Sequence, residues 1–143
     1  SLSVSCGTTP AKFGLKLTDL QAGSKVTGIL GAGFTEAQNY GLGLVSGRRT
    51  GGYSVTLRDL RSSSTALFPI MRVGTGAWQN SDGKVTQAPT QYSWRSSTTV
   101  TPASISQLTG TIAVKAVINK GQDLDLSRDI TLDGRATLEL SYI

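Results

Sequence analysis

The chain has 143 residues, a net charge of +5 from 14 Lys or Arg against 9 Asp or Glu, one cysteine and no histidine. Without histidine, the commonest general base and metal ligand is missing, Ser-His-Asp and Cys-His catalysis are excluded, and so are the usual zinc ligand sets. No stretch approaches the roughly 18 apolar residues of a membrane helix, and the basic residues are scattered (Arg48-Arg49, Arg58 and Arg61 are the densest), so no nucleic-acid partner is expected.

The length suits a single domain spanning 1–143. Apolar residues make up 38% and charged residues 16%, with 17 Gly, and no segment keeps a 3.6-residue apolar period. Short alternating runs punctuated by Gly and Ser predict an all-β fold. The chain opens directly on "SLSVSC", with no leader, which points to a mature or trimmed N-terminus.

In chain order, "LSVSC" alternates with Leu2, Val4 and Cys6 on one face. "KFGLKLTD" predicts a strand with Phe13, Leu15 and Leu17 inward. Leu20 to Asn39 reads as a long loop with a helical turn at Thr35–Gln38, followed by a short strand in "YGLGLVSG". "GGYSVTLRDL" predicts a strand with Tyr53, Val55 and Leu57 inward. "TALFPIMRVG" contains Pro69, which cannot donate to a ladder, so an edge or bulged strand is expected. Asp82-Gly83 reads as a hairpin turn, and "TQYSWRS" as a strand carrying Tyr92 and Trp94.

"SQLTGTIAVKAVIN" carries the strongest strand pattern, with Leu108, Gly110, Ile112, Val114, Ala116 and Ile118 on one face. After a mixed segment and a turn at Asp133-Gly134, "GRATLELSYI" alternates to the last residue. Ala136, Leu138, Leu140 and Tyr142 are expected inward. Seven or eight short strands separated by turns match a sandwich or a barrel.

Four features bear on chemistry. Asp123, Asp125 and Asp129 cluster in "DLDLSRD", but without the glycine and closing Glu of a calcium loop, and a solvated turn is expected. "GILGAG" and "GLGLVSG" lack phosphate-loop order. Trp78, Tyr92 and Trp94, near Asn80 and Asp82, read either as a glycan-stacking platform or as core aromatics. Cys6 reads either as a small buried residue or as half of a disulfide. No catalytic residue, metal or cofactor is expected, and the chain is not expected to be an enzyme.

The alternating ending, with Ala136, Leu138, Leu140 and the penultimate Tyr142 preceded by Gly134, resembles the carboxyl end of chaperone–usher pilus subunits of Gram-negative bacteria. "LSVSCG" with "FGLKLTD", "NYGLGLVSGRRTGGYSVTLRDL" and the segment from Leu108 to Ile143 resemble a fimbrial-like family of unassigned function. The resemblance covers most of the chain and weakens between Arg61 and Thr101. It implies an incomplete immunoglobulin-like β-sandwich of Greek-key type, whose last strand a partner supplies. Gly134, Ala136, Leu138, Leu140 and Tyr142 would then border the groove that takes this strand. A periplasmic chaperone would fill it first, and a neighbouring subunit afterwards, by strand addition at an outer-membrane usher. The resemblance also implies that Cys6 bonds to a cysteine of a preceding strand absent from this chain. The expected location is a cell-surface fimbria reached through the periplasm, with a host glycan or receptor as a further partner.

Overall fold

The computed structural model describes residues 1–120 and 133–143; Asp123, Asp125 and Asp129 lie outside the described residues. The fold is all-β. Among the described residues the strands are β1 (Leu2–Ser5), β2 (Phe13–Asp19), β3 (Tyr40–Gly41), β4 (Leu44–Val45), β5 (Arg48–Arg49), β6 (Gly51–Ser62), β7 (Thr65–Ala66), β8 (Phe68–Val73), β9 (Gln79–Asn80), β10 (Thr90–Arg95), β11 (Gln107–Ile118) and β12 (Ala136–Tyr142). One sheet runs β1-β11-β6-β3, with β7 also on β6, and the second runs β12-β2-β10-β8-β9. All pairings are antiparallel. The two sheets share one core, an arrangement consistent with a β-sandwich.

The core follows from period-2 alternation. Phe13, Leu15 and Leu17 of β2 meet Tyr53, Val55 and Leu57 of β6 in one buried cluster. Tyr92 and Trp94 of β10 complete it, with Phe13 edge-on to Trp94 at 5.2 Å between ring centroids. The long β6–β11 ladder shifts register between Thr109 and Thr111, opposite Asp59, whose φ is 54°. This bulge lets Leu60 face inward again after Leu57.

The loop after β2 is tied down rather than loose. Asp19 accepts hydrogen bonds from the Gln21 and Gly41 backbones, and the Ser24 hydroxyl donates to Gln21 O while accepting from Gly43 N. The expected helical turn is a 3-10 turn at Glu36–Gln38, closed by a capping box from Thr35.

Three sequence expectations change. The "YGLGLVSG" stretch divides into β3 and the hairpin β4–β5, because Ser46 and Gly47, at φ of 53° and 76°, turn the chain tightly. Strand β8 is not the edge: β9 lies outside it. Pro69 fits because its carbonyl accepts from Ser81 on the β9 side, so its missing N–H is not needed by β10. Asp82-Gly83 is not a hairpin turn. The segment crosses from one sheet to the other, with Leu57 N donating to Gly83 O and Val85 N to Val55 O.

Tyrosines hold this crossover. Tyr92 Oη donates to Lys84 O and accepts from Thr86 N, at 2.9 and 2.7 Å, and Tyr40 Oη donates to Val85 O at 3.1 Å. Tyr92→Phe strands a part-buried N–H and a carbonyl, so it should cost about 1 kcal/mol in urea unfolding. Burial raises the phenol pKa of Tyr40 and Tyr92, and takes Tyr53 up to about 12. The unfolded phenols ionise near 10.0. Above that pH the unfolded state loses protons that the folded state keeps, so this stability is complete below it and is lost as pH rises through about 12. In an alkaline titration, phenolate absorbance and loss of β-sheet dichroism should rise together in that window.

Candidate functional site: an open edge of the sandwich

Both sheets finish on the same side of the molecule, one on β12 and the other on β1 and β11. Leu138 pairs with Leu17, Leu140 with Leu15 and Tyr142 with Phe13. Directly opposed residues share a face of the sheet, and these β2 partners lie in the core. The β12 residues therefore face the interior as well. Even so, Leu138, Leu140 and Tyr142 are 36%, 43% and 79% exposed.

The facing wall explains this. Ile112, Val114 and Ala116 of β11 lie opposite Leu57, Val55 and Tyr53, on the inward face, yet Val114 is 62% exposed. Strand β1 covers β11 only from Gln107 to Gly110. Beyond Gly110, no strand among the described residues pairs with that edge, so the interior opens there.

Two depressions follow the gap. The narrower, about 220 Å³, lies between Val4 and Cys6 on one side and Leu140 and Tyr142 on the other. The wider, about 420 Å³, has Leu17, Leu42, Tyr53 and Val55 as its floor and Val114, Ala116 and Ala136 at its rim. Both are mainly apolar.

The edge also offers backbone groups. Leu20 N donates to Arg135 O and Ile143 N to Lys12 O, so the odd-numbered residues of this strand point toward β2. The alternation leaves the N–H and C=O of Ala136, Leu138, Leu140 and Tyr142 directed away from β2. Among the described residues, nothing pairs with them.

Gly134 stands at the mouth of the wider depression, where it is not a turn residue. A Cβ there would lie 2.6 Å from Cε1 of Tyr53. The glycine lets the start of β12 lie flat on that ring.

The other candidates part company. Tyr92 and Trp94 are 0% exposed, deep in the core, so they form no surface platform. Trp78 stands apart from them, half-buried, with the Arg72 guanidinium 4.6 Å over its ring. The glycan platform is therefore not formed, because Tyr92 and Trp94, two residues apart on β10, share the face turned into the core. Cys6 is a free thiol, half-buried at the narrow end of the groove. Sequence alternation placed Val114 and Ala116 inward but gave no sign that they would be uncovered.

Comparison with family models, curated proteins and solved structures found no match for this chain.

Gly134→Val should force the start of β12 off Tyr53. We expect a loss of about 1–3 kcal/mol in chemical denaturation, the usual cost of overpacking a close contact. Gly134→Ala should cost less, since the smaller group needs a smaller backbone shift.

Proposed function

We infer that this chain is a structural or adhesive subunit of a bacterial surface fimbria, an incomplete immunoglobulin-like sandwich completed by a strand from a partner. The observation that carries the reading is the row Leu138, Leu140 and Tyr142, turned toward the core by register and still exposed. Such an edge invites aggregation unless something covers it. An added strand would satisfy the free backbone groups of β12 and place alternate apolar side chains in the two depressions. Backbone bonds would supply affinity, and the pockets would supply register.

In this reading a periplasmic chaperone covers the edge first. A neighbouring subunit replaces it at the outer-membrane usher, and the product stands on the cell surface. The activity is assembly, with no cofactor and no catalytic group. The resemblance of Gly134–Ile143 to pilus subunit endings supports the assignment. A tip lectin built on Trp78, Tyr92 and Trp94 lacks support, because two of the three rings are buried.

The test is stabilisation by donor strands. Peptides of about seven alternating residues, long enough to span β12, are titrated while the melting temperature is followed. A peptide at a hundred times its dissociation constant should stabilise the chain by about 2.7 kcal/mol. Leu140→Asp, which puts a charge into the groove at an already exposed position, should abolish the shift with little change in the unliganded melting point. A chain indifferent to every such peptide and to a pilus chaperone would sink the reading.

A further inference from the structure

The exposed face of β12 carries its own charge code. Arg135, Thr137 and Glu139 alternate with the inward residues and point to solvent. The strand's outer edge is open among the described residues. We propose that this edge pairs with the same edge of a second copy, antiparallel and two-fold symmetric, with Thr137 opposite Thr137.

The register follows from which residues the antiparallel pairing would oppose. With Thr137 on the two-fold axis, Arg135 of each copy stands opposite Glu139 of the other. Both ends of the pairing then carry opposite charges, and the centre pairs two threonines, combinations that favour antiparallel strands. Ala136 of one copy faces Leu138 of the second, and Gly134 faces Leu140. These even-numbered residues direct their backbone groups outward, so they can form the hydrogen-bonded pairs of the new ladder.

Competing registers are worse. Centring on Glu139 would engage more of β12 but set each Glu139 against its own copy, with like charges directly opposed. Centring on Leu138 sets Arg135 against Ser141 and Thr137 against Glu139, with no opposite-charge pair. Existing contacts do not spoil the favoured register. Arg135 already meets Asp133 at 3.3 Å, but both side chains are well exposed, and such a pair holds Arg135 weakly. Glu139 lies opposite Lys16 on the β2 side, which leaves its other flank for the incoming Arg135. An isologous edge contact of this kind closes on itself, giving a dimer and not a fibre.

The pairing rests on the edge that is open among the described residues and not on the fimbrial reading. Failure of every donor peptide would remove that reading and leave the dimer standing, while a donor-binding monomer would do the reverse.

Sedimentation velocity over a concentration series measures the dimer. Arg135→Glu and Glu139→Arg should each weaken it by about tenfold, because both symmetric pairs become like-charged. The double variant R135E/E139R restores the pairs and should return the wild-type constant. Cross-linking checks the register independently of any folding defect. In a Cys6→Ser background, Thr137→Cys sits at a non-hydrogen-bonded pair, about 4.5 Å between Cα atoms, within disulfide reach. It should give a covalent dimer on mild oxidation, and Glu139→Cys should not. A chain that stays monomeric at all concentrations, a double variant no better than the singles, or preferential linking through Glu139→Cys would overturn the proposal.

Discussion

The constraint behind this structure is that two sheets turn apolar residues toward one core without covering them all. Strand β12 turns Leu138, Leu140 and Tyr142 inward, β11 turns Ile112, Val114 and Ala116 inward, and no described strand stands between them. A residue facing a core normally gains from being taken out of water. Here Val114, Leu138, Leu140 and Tyr142 stay exposed instead. The edge therefore carries an exposed apolar surface.

The rest of the molecule is closed tightly on the opposite side. The crossover through Gly83 to Val85 links the two sheets there, with its backbone shared with Leu57 and Val55 and its carbonyls bound by Tyr40 and Tyr92. Asp19 and Ser24 close the end where β2 leaves its sheet. Polar side chains that satisfy buried backbone groups give these regions one arrangement.

Aromatic residues illustrate how context redirects a motif. Trp78, Tyr92 and Trp94 sit close in sequence beside polar residues, as a saccharide platform would. Tyr92 and Trp94 share the core-facing side of β10, so the core consumes both. Tyr92 keeps a polar task even there, holding Lys84 and Thr86. Of the three rings, Trp78 alone keeps part of its surface in solvent, with Arg72 over it.

Much of the fold was legible in alternation alone. Phe13, Leu15, Leu17, Tyr53, Val55 and Leu57 fall inward as their period-2 pattern requires, because adjacent side chains of a strand must leave on opposite faces. The inward sense of Ala136, Leu138, Leu140 and Tyr142 was equally local. Exposure is a different matter. Whether an inward residue is covered depends on strands distant in sequence, and nothing in "AVKAVI" signals that β1 stops covering β11 at Gly110. The same holds for Gly134, which reads as a turn residue beside Asp133 until Tyr53 is seen 2.6 Å from where a Cβ would lie. The local pattern thus decided which way each strand faces. Only the tertiary structure decided which faces were left without a partner, because coverage is a property of sheet order and not of any single strand.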